Sequence, residues 1–447
     1  MTLVTMGYAQ TDITPTQSLQ LVGYDARPDN YSRGVLHRLL AQTLIWQSAE
    51  TICCLVTIDS LGFTTSLSLT LRQQLADALQ TTPEHVMLCF SHTHAAPNAT
   101  AHPDYYAFVC AQLEQAVCQA RAFMVPIQAA WGSTRNTIGV NRRSPDLGFD
   151  DRLGVLQITG SDPHDLKCLL LRITAHANVL TADNYDISSD YFGAIRQQLS
   201  ARYGCPILIV QGASGDVKAK YRQANADHLE VHLAEVLAHP PTPAEQQLYH
   251  EQCLRSLEII ADEVIHAVEA LLPTLHPQPV HTLAMYSRHT TFYASVPDWP
   301  TAQAIAAEAQ TSAGIDGTGW LEEVRRLHQA HISRQSAPCE IHYLLLNNGG
   351  LCGVPYEVMS AISTAIRQKT DAPLLFFNGY TNGCDSYLPT APEYDLGGYE
   401  VLWSNLLYYP YHGRVMPLDR DTADQLADQA AQGYREFWER QRFSDST

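Results

Sequence analysis

The sequence predicts an α/β fold in which mixed β-sheets are flanked by helices. Six short apolar runs, rich in β-branched and aromatic residues, each end in polar or glycine-rich residues. They span residues 52–62, 86–97, 168–180, 206–217, 341–350 and 374–383. Stretches with helical spacing follow the first two runs, at 68–80 and 104–123. Because sheets of this class bind ligands beyond the strand ends, we expect the chemistry where the runs stop.

The chain is long and apolar enough to bury a large core. Its 447 residues include 45% apolar and 17% charged side chains, which fits either two lobes or one large α/β body that carries an inserted piece. We expect a single domain over residues 1–447 with a helical insert at 241–335. Within the insert, helical spacing predicts one helix over 243–272 and a second, after a turn, in 312–332. A terminal helix is predicted over 421–443.

The charge and the distribution of apolar residues restrict the partners. The formal net charge is 28 minus 46, or −18, which disfavours binding to nucleic acid or to an anionic membrane surface. The N-terminus lacks the basic start and apolar segment of a signal peptide, and no later stretch approaches the roughly 20 apolar residues of a membrane span. We expect a cytoplasmic protein without stable membrane insertion, and an oligomer stays open.

The eleven cysteines are expected to be small, reduced core residues. They show no CxxC spacing, they include the adjacent Cys53 and Cys54, and most lie inside apolar runs. This pattern favours neither disulfides nor a cysteine-based metal site.

Histidines follow two of the predicted strands. His92 and His94 flank Thr93 at the end of an apolar run, and residues i and i+2 of an extended segment point the same way, so both rings are predicted to face one pocket. A pair of surface histidines is the alternative. His176 also follows an apolar run, where a lone histidine would be a hydrogen-bonded core residue. Two strands that both deliver imidazole favour zinc, which binds neutral imidazole together with a carboxylate.

Acidic residues and a tyrosine-rich loop occupy similar places. Glu357 follows a strand and a Gly-Val-Pro turn; it is either a ligand or a favourable acid in a first helical turn. The glycine-rich loop at 379–400 contains four tyrosines, which is typical of a lid or a substrate-binding rim. Asp59, Asp190 and Asp216 also end or follow strands, where they either orient ligand histidines or cap turns and helices.

Eight segments match the pattern of a known family, in the family's order. They are GYAQTDITP at 7–15, SHTHAAP at 91–97, GVNRRSP at 139–145, HANVL at 176–180, ISSDYFG at 187–193, QGASGDV at 211–217, GVPYEV at 353–358 and GYTNGCDSYLPTAPEYDLGGYE at 379–400. Together they resemble the neutral ceramidases, in particular the shorter bacterial proteins that are similar to the N-terminal catalytic domain. No single segment is decisive, but eight in order are specific.

The resemblance implies one Zn²⁺ ion with four protein ligands, which are His92, His176, Glu357 and Tyr387. Tyr387 is selected because SYLPT matches the family's tyrosine in this loop, five residues after Asn382. Two imidazoles, a carboxylate and a weak phenolic oxygen leave the ion a position for water, as catalytic zinc sites require.

The resemblance also implies hydrolysis of an amide bond by zinc-activated water, without a covalent intermediate. His94 would take a proton from the water or give one to the leaving amine. Arg142 or Tyr399 would stabilise the developing oxyanion, a contribution on the order of 3 kcal/mol. No serine nucleophile is required, and Gly212 stands where larger ceramidases carry a serine.

The implied substrate is an N-acyl amine or a ceramide-like lipid amide. One alternative keeps zinc hydrolysis but cleaves an ester, a lactone or a cyclic amide in a small metabolite. A second alternative is a non-catalytic binding protein whose metal serves the structure. The tyrosine ligand argues against it, because structural zinc sites are closed by strong ligands such as cysteine.

Overall fold

A computed structural model describes residues 3–24, 27, 29–49, 51–135, 137–221 and 242–444 of the chain. Within these residues, three larger β-sheets and three two-stranded pairs form, and helices cover the sheets. The predicted class, an α/β fold with mixed sheets flanked by helices, is confirmed.

The three larger sheets are called the first, second and third sheet, and their strands are given in spatial order. The first sheet contains Val86–Phe90, Ile52–Ile58, Leu40–Gln47, Thr5–Asp12 and Val125–Pro126. The second contains Ile207–Gln211, Leu166–Ile173, Arg152–Thr159, Gln128–Arg135 and Gln278–Pro279. The third contains Leu283–Ser295, Arg334–Leu346, Gly349–Gly353 and Leu375–Asn378. The short pairs join Gly34–Val35 to Asp186–Ile187, Gly139–Asn141 to Val217–Ala219, and Glu357–Val358 to Tyr387–Leu388.

Each larger sheet has one parallel pair of strands, at one edge. These pairs are Val86–Phe90 with Ile52–Ile58, Ile207–Gln211 with Leu166–Ile173, and Gly349–Gly353 with Leu375–Asn378. The other described pairs within the three sheets are antiparallel. Parallel strands end at the same edge of a sheet, so polar residues that follow them gather there.

The helices form an outer layer. The α-helices are Thr65–Leu79, Pro103–Ala122, Tyr191–Tyr203, Pro243–Leu271, Trp299–Ala313, Thr318–Gln329, Ser360–Thr370, Ala391–Tyr394, Asn405–His412 and Thr422–Ser444. Shorter helical turns are Pro83–His85, Pro145–Leu147 and Leu272–Thr274, with one π-helical turn at Tyr399–Trp403. The last α-helix, Thr422–Ser444, confirms the terminal helix predicted over 421–443.

Strand alternation divides the side chains between two cores. In the strand Ile52–Ile58, Cys53 and Leu55 point into a central core that all three sheets share, whereas Cys54 and Val56 pack with the helices outside the first sheet. Successive residues of a strand face opposite sides, so this strand is buried on both of its faces. Each fully buried large aliphatic side chain contributes about 1.5–3 kcal/mol relative to an exposed one, which makes this double burial the main stabilising term.

The segment expected to be a helical insert contains helices and also a long strand. Residue 241 lies outside the described residues. The helix Pro243–Leu271 begins with a capping box, in which Thr242 and Glu245 exchange side-chain and backbone hydrogen bonds. Beyond it, Leu283–Ser295 forms a 13-residue strand of the third sheet, paired over its whole length with Arg334–Leu346. The division of the chain into one domain with an insert stays a prediction.

Nine of the eleven cysteines are buried, as expected for core residues, while Cys118 is exposed and Cys384 is partly exposed. Among the described residues, no helix is long and apolar enough to cross a membrane.

A buried polar cluster joins the first and third sheets. Arg72 forms a bidentate ion pair with Glu340, at 2.5 and 2.9 Å. Asn382 donates from Nδ2 to Nδ1 of His342, at 2.7 Å, so the other ring nitrogen of His342 donates to the carbonyl of Glu84, at 2.9 Å. The His342 ring is therefore neutral. Burial lowers its pKa to about 4, with the nearby Arg72 acting in the same direction and Glu340 opposing it.

We expect this histidine to make folding stability fall with acidity. Between pH 6.5 and pH 4, His342 is protonated in the unfolded chain but stays neutral in the folded protein. The free energy of unfolding therefore falls as the pH drops through this range. Between pH 7 and pH 5 this loss is about 2 kcal/mol. Urea denaturation of the wild type and of His342→Gln at both pH values checks it. An equal loss in the variant would contradict the assignment.

Candidate metal centre

Segments that follow the parallel strands of all three sheets meet at one place. The residues are His92 after Val86–Phe90 of the first sheet, His176 after Leu166–Ile173 of the second, and Tyr380 after Leu375–Asn378 of the third. Backbone hydrogen bonds connect these segments: Phe90 donates to Tyr380 at 3.0 Å, and Gly379 donates to Gly212 at 3.3 Å. The expectation that polar residues gather at the strand ends therefore holds for three sheets at once.

The histidine pair does not lie in an extended segment, so that part of the prediction is wrong. The strand ends at Phe90, and His92 has a left-handed backbone conformation with φ of +59°. The rings still meet: the centroid of His92 lies 5.1 Å from that of His94 and 4.7 Å from that of His176. The left-handed backbone at His92, rather than strand alternation, brings the two rings of the pair together.

Backbone carbonyls fix the tautomers of two histidines. Nδ1 of His92 lies 2.7 Å from the carbonyl oxygen of Leu61, and Nδ1 of His176 lies 2.9 Å from that of Ser214. A carbonyl only accepts, so each Nδ1 carries a hydrogen, and Nε2 is the ring nitrogen left to face a metal ion. Burial, with Arg142 acting in the same direction, holds the pKa of His176 well below its usual value, so this ring is neutral.

Glu357 faces the Nε2 atoms of both rings. Its Oε2 lies 3.1 Å from Nε2 of His92 and 3.5 Å from Nε2 of His176. Oε2 of Glu357 and Nε2 of His176 are buried and make no hydrogen bond within the described part of the chain. Tetrahedral zinc with bonds of about 2.0–2.1 Å sets its ligand atoms about 3.3 Å apart. The two distances to Glu357 are close to this spacing, and the three donors fit a zinc ion by their chemistry.

Tyr387 is placed beside Glu357 by a short parallel pair of strands. The two residues are direct partners in the register of Glu357–Val358 with Tyr387–Leu388, so their side chains leave the same face. The Tyr387 hydroxyl accepts a hydrogen bond from Nη2 of Arg142 at 3.1 Å. Burial, reinforced by the Glu357 carboxylate, raises the pKa of Tyr387 well above its usual value.

His94 lies at the same cluster and offers a second ligand set. Ring nitrogens of His92, His94 and His176 lie within 4.8 Å of one another, a group that could hold a metal ion. The His94 ring packs at 4.9 Å from the ring of Tyr24. At Gly23, whose φ is +100°, an added Cβ would lie 2.5 Å from the His94 ring, so a glycine is needed there.

Arg142 and Tyr399 lie on the Tyr387 side of the cluster. Nη2 of Arg142 also donates to the carbonyl of Gly215 at 2.8 Å, and its Nε lies 3.2 Å from Oε1 of Glu400. The ring centroid of Tyr399 lies 6.1 Å from that of Tyr387. The charge of Arg142 is therefore balanced by the carboxylate of Glu400, and its guanidinium is held in place as a hydrogen-bond donor.

The three aspartates have partners of their own. Those partners are Arg196 at 2.5 Å for Asp59, the backbone of Leu180 and of Tyr191 for Asp190, and Asn141 and Ser360 for Asp216. Asp190 caps the helix Tyr191–Tyr203, which is the alternative that the sequence left open. Backbone carbonyls, not these carboxylates, accept from Nδ1 of His92 and His176.

Two residues of the tyrosine-rich loop were missed as parts of the site. The ring centroid of Tyr380 lies 4.3 Å from that of His92. Cys384, which had been expected to be a plain core residue, forms a group with His92 and Glu357 that could hold a metal ion. Its Sγ lies 3.8 Å from Nδ1 of His92, the nitrogen that already donates to Leu61. Cys384 therefore contacts the side of the ring that carries the hydrogen.

The sequence matches no protein-family model and no curated protein. Its structure is similar to that of the neutral ceramidase from Pseudomonas aeruginosa, with a TM-score of 0.65, 17% sequence identity, and coverage of 96% of this chain and 74% of that chain. It is also similar to a ceramidase complexed with C2, with a TM-score of 0.64, 17% identity, and coverage of 97% and 76%. The resemblance to neutral ceramidases is thereby confirmed for the fold.

Proposed function

We propose that the protein is a zinc-dependent hydrolase that cleaves the amide bond of an N-acyl amine or a ceramide-like substrate. The ceramidase fold supports this proposal. The observation that carries it is the pair of imidazole nitrogens, Nε2 of His92 and Nε2 of His176, that face one buried carboxylate oxygen of Glu357, at 3.1 and 3.5 Å. Two imidazoles and a carboxylate are a common donor set of catalytic zinc.

In this proposal His92, His176, Glu357 and Tyr387 hold one Zn²⁺ ion. When bound, the ion polarises the substrate carbonyl and lowers the pKa of a water molecule towards about 7. The hydrogen bonds of the two imidazoles to Leu61 and Ser214 hold the rings with Nε2 towards Glu357. This preorganisation avoids an entropic cost on metal binding.

The remaining residues divide the proton transfer and the charge stabilisation. His94 transfers a proton between the attacking water and the leaving amine. The guanidinium of Arg142 and the ring of Tyr399 lie beside Tyr387. In this proposal Arg142 and the Tyr399 hydroxyl donate to the oxygen that gains charge. At Gly212, an added Cβ would lie 2.4 Å from Oγ1 of Thr174, so a serine nucleophile does not fit there.

Metal analysis with substrate profiling tests the proposal. We expect about one zinc ion per chain by elemental analysis, and loss of hydrolysis on chelation with recovery on adding zinc. N-acyl amines of increasing acyl length should be cleaved, and matched esters and lactones report the alternative bond types. A zinc-loaded protein that cleaves esters or lactones but no amide would overturn the proposed reaction. The cytoplasmic location stays a prediction.

A further inference from the structure

Tyr380 lies where the three sheets meet and is fully buried. It follows the last strand of the third sheet, and its carbonyl accepts from the backbone of Phe90, in the first sheet, at 3.0 Å. Its hydroxyl lies 3.2 Å from Oγ of Ser214, in the turn after the edge strand of the second sheet. One residue thus makes polar contacts with segments of all three sheets.

The side chain of Tyr380 also acts on both candidate ligand histidines. Its ring packs on that of His92 with centroids 4.3 Å apart and an interplanar angle of 33°. The residue that its hydroxyl contacts, Ser214, is the one whose carbonyl accepts from Nδ1 of His176. Tyr380 therefore restrains one ring by packing and the other through the turn that orients it.

The backbone is strained at Tyr380 and at two residues that lie close to it. Tyr380, Asn382 and His92 all have left-handed conformations, with φ of +51°, +58° and +59°. Non-glycine residues adopt this region only where surrounding contacts hold them, and such residues cluster at functional sites. Here the hydrogen bond from Asn382 N to Leu88 O, at 2.8 Å, ties the loop to the strand that leads to His92.

We propose that Tyr380 is a positioning residue that sets the orientation of His92 and His176 for metal binding. The inference rests on the proposed function, because it assigns a metal to those rings. It adds a residue that the ligand set does not contain. Partners that orient metal ligands typically change metal affinity 10–100-fold when they are replaced.

Two conservative variants separate this role from general packing. Tyr380→Phe keeps the ring on His92 but removes the hydroxyl, and Ser214→Ala removes Oγ while keeping the carbonyl. We expect each to weaken zinc binding about tenfold, as measured by competition with a chelator. Because both remove the same contact, the double variant should bind no more than about twofold weaker than either single variant. The visible absorption bands of the cobalt-substituted protein should shift in each variant.

Tyr356→Phe is the matched control. Tyr356 is also fully buried, and within the described residues its hydroxyl makes no hydrogen bond. Like Tyr380→Phe, the variant Tyr356→Phe removes one buried phenolic hydroxyl. It should leave the zinc affinity and the cobalt spectrum unchanged.

The outcomes distinguish this inference from the proposed function. A wild-type protein that binds no zinc would refute both. Tight zinc binding in the wild type with unchanged affinity in Tyr380→Phe and Ser214→Ala would refute the positioning role alone. So would independent, multiplicative losses in the double variant, because they would show that the two side chains do not act through one contact.

Discussion

Replacing His176 with alanine should remove the metal and the hydrolytic activity together. The ring is fully buried, its Nδ1 is committed to Ser214, and its Nε2 faces Glu357 without a hydrogen bond within the described residues. Loss of one imidazole from a four-ligand site leaves too few donors for tight binding. Elemental analysis should fall from about one zinc per chain to near zero, and kcat/KM should fall at least about 10⁴-fold.

His328→Ala is the control for this experiment. His328 also bonds a backbone carbonyl, that of Pro297 at 2.9 Å, but it belongs to the helix Thr318–Gln329, away from the cluster. It should retain both zinc and activity. Circular dichroism of both variants checks that each is folded. A folded His176→Ala protein that keeps one zinc per chain would remove His176 from the ligand set.

The strands around the site could be predicted because their apolar runs are short and end sharply. The run VMLCF corresponds to Val86–Phe90, and LLFF overlaps the strand Leu375–Asn378. Both strands are buried on two faces, and a strand of this kind has a continuous apolar run in its sequence. By contrast, Leu283–Ser295 mixes buried, half-buried and exposed residues, among them the exposed His289 and the half-buried Thr290. Its pattern resembles a polar connection, so only its pairing with Arg334–Leu346 reveals the strand.

The candidate site residues could be named from the sequence, but their geometry could not. Strand ends and the family resemblance indicate which imidazoles and carboxylate to consider. Nothing local indicates that His92 turns left-handed or that Tyr380 packs on it, because both depend on hydrogen bonds between segments about 290 residues apart. The pairing of Glu357 with Tyr387 is non-local in the same way. Long-range contacts of this kind are set by the tertiary fold rather than by local propensity.

His94→Ala should lose activity but keep the metal. In the proposed ligand set His94 transfers protons and does not bind zinc, so kcat/KM should fall about 10²–10⁴-fold while elemental analysis still gives about one zinc per chain. Added imidazole should restore part of the activity, because it can replace a missing proton-transfer group. This variant also tests whether His94 is a metal ligand, because the ring nitrogens of His92, His94 and His176 lie within 4.8 Å of one another.

That three-histidine group makes the experiment decisive between two ligand sets. If His94 is a ligand, His94→Ala should empty the site as His176→Ala does, and Glu357→Gln should then retain zinc. If Glu357 is a ligand, Glu357→Gln should lose zinc, because the amide is a far weaker donor than the carboxylate that lies 3.1 Å from His92. Zinc content of the two variants, measured side by side, therefore assigns the third strong ligand. If both His94→Ala and Glu357→Gln retain zinc, neither His94 nor Glu357 is the third strong ligand, and both ligand sets are wrong.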